Sequence, residues 1–443
     1  MGLALLTDLY ELNMAASYLR RGMTAPATFS LFVRNLPDGW GFLVACGLDR
    51  CLEFLETFRF SDEDLDYLRA EPGYPEETLE AFAALRFTGE VRAVPEGRVL
   101  FPDEPVLEVT APMPEAQLVE TYLLNQVTYQ TAVASKAARC RLAAPGAAMV
   151  DFSFRRVHGV EASLAVARAT AMVGFSATSN VEAARTLGLR ATGTMAHSYV
   201  EAFPNELEAF RAFAEDFPDR VILLVDTYDT ARGVEHAIEV ARELEARGGA
   251  LAGIRLDSGD LAQLAKEARR ALDAAGLEGV QILASGGLDE HEIARLASAG
   301  APIDAYGVGT KIGVAEDAPA LDSVYKLVGY GGEPVAKLST AKATLPGPKQ
   351  VWRVRDEARD VIGLATEVGP GNGEPMLVDV MRRGQRMQRD SIADATARFD
   401  AEIHGLPGSL RTLAPRPYRV GLTPALSRLS AEVRDRIRSR ELG

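Results

Sequence analysis

The stretch Val221-Ile-Leu-Leu-Val-Asp-Thr-Tyr-Asp-Thr230 decides the fold. It is an apolar run too short for a helix, closed by polar residues and followed by a helical pattern over Thr230–Arg247. The next apolar run is Ala252–Leu256, so strand, helix and strand follow one another. The same alternation repeats on both sides of this unit. Apolar runs stand at Met149–Phe154, Ala191–Thr194, Val280–Ala284 and Ala305–Val308, with helical patterns at Asn205–Glu215, Leu261–Ala275 and Leu288–Ala299. At roughly 25 to 35 residues per unit, this predicts right-handed βαβ crossovers and a parallel sheet. Six such strands, or seven with Thr178–Val181, suit an irregular α/β barrel better than an open sheet.

The flanks read differently. Residues 1–130 give a mixed α+β pattern: a helix near Asp8–Arg21, strands at Thr28–Arg34 and Phe42–Ala45, and a helix after Gly47. Short β runs punctuated by proline and glycine then lead to a helix from Pro114 to Ala134. After residue 330 the pattern is again β, at Val335–Leu338, Gln350–Arg355, Val361–Leu364 and Met376–Met381, with a charged helix over Pro424–Leu442. The expected organisation is an N-terminal α+β domain over 1–130, the barrel with its active site over 131–330, and a C-terminal segment, 331–443, packed on the first.

Composition narrows the function. A net charge of −14 opposes general affinity for nucleic acid or anionic membrane. No run approaches the ~20 apolar residues that span a bilayer. The start of the chain lacks a signal-peptide pattern, and Gly2 is a poor myristoylation match. The three cysteines, Cys46, Cys51 and Cys140, form no metal pattern and read as reduced core residues of a cytoplasmic protein.

In a barrel of this kind the chemistry gathers at the carboxyl ends of the strands. Those positions hold Asp151, Phe152, Arg155 and Arg156; Ser176, Thr178, Ser179 and Asn180; and Thr194, His197 and Ser198. They continue with Asp226, Thr227 and Asp229; Arg255, Asp257, Ser258, Gly259 and Asp260; Ser285, Gly286 and Gly287; and Gly307, Gly309 and Thr310. Arginine offers planar phosphate contacts, carboxylates hold Mg²⁺ directly or through water, and glycine turns let backbone amides approach phosphate. The set suits a highly anionic, metal-bound ligand. Asp229 and Asp260 also have the position of helix N-caps. His197 stands where a strand gives way to a helix, a place suited to phosphate.

Seven ordered segments carry a family resemblance: Thr7-Asp-Leu-Tyr-Glu-Leu-Asn-Met, Asp151-Phe-Ser-Phe-Arg-Arg, Ser176-Ala-Thr-Ser-Asn-Val, Gly193-Thr-Met-Ala-His-Ser, Val225-Asp-Thr-Tyr-Asp-Thr, Ile254-Arg-Leu-Asp-Ser-Gly-Asp and Tyr306-Gly-Val-Gly-Thr. Tyr325-Lys-Leu-Val and Lys337-Leu-Ser extend it. The chain resembles the nicotinate phosphoribosyltransferases over nearly its full length. The resemblance implies a type II phosphoribosyltransferase fold, an irregular α/β barrel with an α+β domain built from both ends of the chain. It implies transfer of phosphoribosyl from phosphoribosyl pyrophosphate to nicotinate, giving nicotinate mononucleotide and pyrophosphate for NAD biosynthesis. It also implies coupling to ATP hydrolysis through a phosphohistidine at His197, with Mg²⁺ carried by substrate phosphates, and a homodimer.

By family position, Phe152 and Tyr10 sandwich the pyridine ring, with Tyr10 coming from the neighbouring subunit. Arg255 and Thr194 are the candidates for the substrate carboxylate, and Arg155 for phosphate. Asp226 and Asp257 would contact ribose hydroxyls or metal-bound water, and Gly286, Gly287, Gly309 and Thr310 the 5′-phosphate, with Lys311 adding charge nearby. The sister enzyme that uses nicotinamide places an aspartate near Ser179, where it would repel a carboxylate, so Ser179 favours nicotinate. A quinolinate-using relative and a non-catalytic nucleotide-binding barrel are the remaining rival functions. The Asp226/Asp229 pair also resembles the acidic pair of type I phosphoribosyltransferases. That pair is usually adjacent, however, and here Thr227 and Tyr228 intervene. Some relatives end in a cysteine-rich zinc module; with no cysteine after Cys140, no such metal site is expected here.

Overall fold

The computed structural model describes residues 3–338, 344–387 and 389–441. The chain divides into two compact units: one is Met1–Ser135 with Ala318–Gly443, the other Lys136–Asp317. The second unit therefore ends at Asp317, and strand Ser323–Tyr330 belongs to the first.

Lys136–Asp317 is built on a six-stranded parallel sheet in the order Ala177–Thr178, Ala148–Asp151, Ala305–Val308, Gln281–Ser285, Leu251–Leu256, Val221–Leu224. Ala191 adds a single parallel bridge beyond Thr178. Among the described residues no ladder joins Ala191 to Val221–Leu224, so the barrel stays open there. The expected strand Ala191–Thr194 is thus one bridge, because its small or polar residues, none of them buried, have little apolar surface to bury. Elsewhere the apolar runs form the core. Val221, Leu223, Leu224, Ile254, Leu256, Ile282 and Val308 are almost wholly buried, each contributing about 1.5–3 kcal/mol of transfer free energy. Helix Thr230–Glu245 buries Val234, Ala237, Val240, Ala241 and Leu244 at helical spacing. Asp229 and Asp260 do cap their helices: each side chain accepts backbone N–H groups of the first turn.

The first unit is α+β and draws on both ends of the chain. Its seven-stranded sheet places Ser323–Tyr330 antiparallel to Pro26–Val33, with Pro105–Pro112, Glu90–Ala93 and Val378–Arg382 following in order. A four-stranded sheet comes wholly from the carboxyl part, Glu374–Pro375, Lys349–Val354, Arg359–Leu364 and Arg419–Leu422. Buried Arg353 ties the two parts of this unit together. Its guanidinium donates to Asp360 at 2.6 Å, to the Val99 carbonyl at 2.9 Å, and to Glu402. Such a buried cation is tolerable only because its donors are matched by carboxylates and a carbonyl.

Two further expected elements are corrected. The helix from Pro114 to Ala134 is two helices, Met113–Leu118 and Glu120–Ala143, broken at Val119. Val335–Leu338 forms no strand; the strand in this stretch is Glu333–Pro334, which pairs with the end of Ser323–Tyr330. His236 is half-buried, with Nδ1 2.9 Å from Glu206 between two helices. Helix Pro424–Glu441 matches the expected charged helix. Cys46, Cys51 and Cys140 are all buried. Among the described residues no helix is long and apolar enough to cross a membrane.

Candidate active site

The carboxyl ends of the parallel strands converge on a cavity of about 220 Å³ within Lys136–Asp317. That is smaller than the ~300–1,000 Å³ of drug-sized pockets and suits a compact, polar ligand. Its walls include Phe152, Arg155, Arg156, Arg255, Asp257, Ser285, Gly286, Gly287, Gly307, Gly309, Thr310 and Lys311. Eight of the predicted site residues, Phe152, Arg155, Arg255, Asp257, Gly286, Gly287, Gly309 and Thr310, line this one space.

Phe152 follows strand Ala148–Asp151, and its N–H donates to the Val308 carbonyl at 2.8 Å. Its ring lies across Gly307, where an added Cβ would come within 2.5 Å of the ring carbons. Gly307 therefore has no side chain because the aromatic face needs its space. The Arg255 guanidinium stands 5.8 Å from the ring centroid, within cation–π reach. Asp151, first in its motif, is a buried bracket instead of a ligand group. It accepts from Thr178 at 2.7 Å and from the Ser153 hydroxyl at 2.6 Å, and so clamps two neighbouring strand ends.

Arg255 is the hub of the polar wall. Nε donates to Ser285 at 2.9 Å, Nη1 to Thr194 at 2.9 Å and to the Met195 carbonyl at 3.2 Å, and Nη2 to Asp257 at 3.1 Å. Those bonds fix its plane while leaving part of its five-donor fork for a ligand. Ser285 donates to the same Asp257 oxygen at 2.5 Å. Burial alone would raise the Asp257 pKa, but Ser285, Arg255 and His197 outweigh it and hold the carboxyl below its usual value. Asp257 is consequently a fixed anion near neutral pH.

Gly286 takes φ +89°, and a Cβ there would lie 1.9 Å from the Asp257 carbonyl oxygen. Only glycine lets this turn pass so close to its neighbour. Gly287 is also left-handed, at φ +63°, but faces open space. Gly309 and Thr310 begin the short helix Thr310–Gly313.

His197 is the first residue of helix His197–Glu201. Its Nδ1 is 3.2 Å from the Thr227 hydroxyl and its Nε2 3.9 Å from Asp257, and the side chain is 39% exposed. One ring nitrogen is thus bonded to Thr227, and the other faces Asp257 of the cavity wall. Asp226 accepts the Asp257 N–H at 2.8 Å and the Ser258 hydroxyl at 2.9 Å through Oδ2. Its Oδ1 is buried without a partner among the described residues. Asp229 is occupied by its helix cap, so the two carboxylates do not act as a pair. Ser179 donates its backbone N–H to the Asp151 carbonyl at 2.8 Å and is not among the cavity-lining residues. Tyr10 lies in helix Leu9–Arg20 of the other unit and is 47% exposed. Ser339 of the Lys337-Leu-Ser motif lies outside the described residues.

Two couplings are invisible from the strand ends taken one at a time. Ser285 ties Arg255 to Asp257, and Asp289 holds Lys311 at 2.6 Å. Among the described residues no three His, Cys, Asp or Glu side chains converge as a metal cage.

Two family models cover the chain: the nicotinate phosphoribosyltransferase N-terminal domain over residues 5–128, and the nicotinate phosphoribosyltransferase family over 147–352. A nicotinate phosphoribosyltransferase of Mycobacterium tuberculosis is 49% identical over 420 residues, covering 94% of this chain and 90% of the relative. The chain belongs to the nicotinate phosphoribosyltransferase family. A Bacillus subtilis enzyme of that name is 46% identical over 364 residues, covering 80% of this chain and 74% of its own length. The crystal structure of human nicotinic acid phosphoribosyltransferase superposes with a TM-score of 0.86 at 32% identity, covering 96% of this chain and 99% of that one. The likeness to the human family member bears out the α/β architecture expected from the strand–helix alternation.

Proposed function

We propose that this family member transfers the phosphoribosyl group of phosphoribosyl pyrophosphate to nicotinate, in NAD biosynthesis, in the cytoplasm. The observation that carries the reading is the single cavity holding Phe152, Arg255, Asp257 and the glycine turns. In the reaction the pyridine nitrogen forms a bond to the anomeric carbon as the bond to pyrophosphate breaks. Both electrons of that bond leave with pyrophosphate. No proton transfer is required, so orientation and electrostatics supply the acceleration.

Phe152 offers its exposed face to the pyridine, with stacking worth ~0.5–1.5 kcal/mol beyond area burial. The remaining Arg255 N–H faces the carboxylate, helped by the Thr194 hydroxyl that Arg255 already orients. Fixed anionic Asp257 sits where positive charge develops on the ribose ring or where ribose hydroxyls need an acceptor. Gly286, Gly287, Gly309 and Thr310 present backbone to the 5′-phosphate, and Arg155 and Arg156 add cations. The unpartnered Oδ1 of Asp226 fits a divalent cation or its bound water, and Asp257 is the other carboxylate within reach. Mg²⁺ bound there with the pyrophosphate would neutralise leaving-group charge.

We extend the proposal to ATP coupling. Nε2 of His197 would attack the γ-phosphorus of ATP, with ADP leaving, and water would later release phosphate from the imidazole. The support is a partly exposed imidazole held through Nδ1 by Thr227, with Nε2 3.9 Å from Asp257. Phosphorylation would add nearly two negative charges at the cavity wall. A homodimer is part of the same proposal, with Tyr10 completing the pyridine site from the partner subunit. Leu6, Leu9 and Tyr10 form an exposed apolar run suited to a subunit contact.

The test is product formation from phosphoribosyl pyrophosphate and Mg²⁺ with nicotinate, nicotinamide or quinolinate, each with and without ATP. Nicotinate mononucleotide alone, increased by ATP, is the expected result, and His197→Ala should lose the increase. Product from nicotinamide instead, or no product from any pyridine, overturns the substrate reading. Full ATP stimulation in His197→Ala overturns the phosphohistidine.

A further inference from the structure

Four cations border the cavity, and they are not equivalent. Arg255 is committed to Ser285, Thr194 and Asp257. Arg155 and Arg156 are exposed and have no ion-pair partner among the described residues. Lys311 differs from all three. Its Nζ is 2.6 Å from Asp289 Oδ2, with side-chain exposures of 29% and 15%, and Glu316 stands farther off at 3.9 Å. Asp289 does not line the cavity. Its other oxygen, Oδ1, accepts the Glu292 N–H at 2.8 Å and caps helix Glu290–Ser298. The carboxylate is therefore anchored to backbone on one side and holds a cavity-lining ammonium on the other.

We propose that Asp289 is a positioning residue, a tether that holds the Lys311 ammonium at the phosphate end of the cavity before ligand arrives. A free lysine must surrender the freedom of a four-carbon stem to reach a phosphate. Here that freedom is already spent in the ligand-free fold. The ammonium has three N–H donors, and Asp289 takes one, leaving donors for a phosphate oxygen. The hydrogen bond to Asp289 also keeps the amine in its charged form. Lys311 follows Gly309 and Thr310 directly, so its charge and the turn amides serve one anion. This inference rests on the proposed use of phosphoribosyl pyrophosphate.

The experiment compares the native protein with Asp289→Asn, Lys311→Met and the double variant. It measures KM and kcat for phosphoribosyl pyrophosphate, and the Kd of the same compound with Mg²⁺ by calorimetry, which needs no turnover. Asparagine keeps the helix cap, so Asp289→Asn folds as the native chain does, checked by its melting temperature. KM and Kd should rise about tenfold in Asp289→Asn, the worth of one charge-assisted hydrogen bond, with kcat falling less than KM rises. Lys311→Met should weaken binding at least as much. In the double variant the Asp289 change should add nothing, because the tether acts only through Lys311.

Unchanged Kd in Asp289→Asn overturns the proposal, as does an Asp289→Asn effect of equal size with and without Lys311. A native protein that binds phosphoribosyl pyrophosphate through this pair yet forms no nicotinate mononucleotide would leave the tether standing and overturn the reaction instead. A native protein that does not bind the compound overturns both.

Discussion

Replacing Gly286 with alanine should disable the site without unfolding the chain, and Gly287→Ala beside it is the control. Both residues have left-handed backbone, at φ +89° and +63°. A side chain in that region costs about 1–2 kcal/mol at either position. Only at Gly286 does the new methyl meet backbone, 1.9 Å from the Asp257 carbonyl oxygen, whereas nothing stands within 4 Å at Gly287. To reach ordinary contact that separation must open to at least 3.4 Å. The Gly286 turn or the Asp257 loop must therefore move by more than an ångström. A misplacement of about 1 Å costs ~10²-fold in rate when positioning dominates catalysis. Asp257 is hydrogen-bonded to Ser285 and Arg255, so its displacement disturbs the carboxylate-binding wall as well.

We expect kcat/KM for both substrates to fall about a hundredfold or more in Gly286→Ala, and less than about tenfold in Gly287→Ala. Steady-state pyrophosphate release gives the rates, and thermal melting gives the stability cost of each. Equal activity losses in the two variants would refute the reasoning, since strain alone would then account for both. Near-native activity in Gly286→Ala would show that the turn does not control the geometry of Asp257.

Two further outcomes follow from the same wall. Gly307→Ala drives a methyl into the Phe152 ring, so KM for nicotinate should rise by about three- to tenfold while KM for phosphoribosyl pyrophosphate moves less; equal rises for both would remove Phe152 from the pyridine site. Asp257 has a lowered folded pKa, so its contribution is complete above the usual aspartate value of about 3.9 and is lost only as pH falls through the lower folded value. Native kcat/KM should show no acid limb from Asp257 near neutral pH, and Ser285→Ala should shift the acid-side loss upward; an unmoved limb in pH–rate profiles would refute the role of Ser285.

Local signals in this chain are legible where one segment carries the information by itself. Apart from Ala191–Thr194, the apolar runs and helical periodicities between residues 149 and 308 read correctly as βα units because burial on a sheet leaves a periodic record in sequence. Asp229 and Asp260 read as caps because a cap involves only residues a few positions apart. The same local logic applies at Ser61 and Asp64, and at Ser391 and Asp394, where capping boxes open two helices absent from the expected elements. Asp151 and His236 are harder. Each is defined by a partner 27 or 30 residues away, across neighbouring elements.

By itself, the sequence determined that parallel βα units exist, which residues stand at their strand ends, and which family motifs they compose. Tertiary structure alone decided how those strand ends combine. It made Asp151 a bracket, left one Asp226 oxygen without a partner among the described residues, and joined Arg255, Ser285 and Asp257 into one wall. It also bound Lys311 to Asp289 and paired Pro26–Val33 with Ser323–Tyr330. The physical reason is range: periodicity and capping are set by nearest neighbours along the chain. Hydrogen-bond geometry and burial depend on distances between segments that no single stretch of sequence encodes.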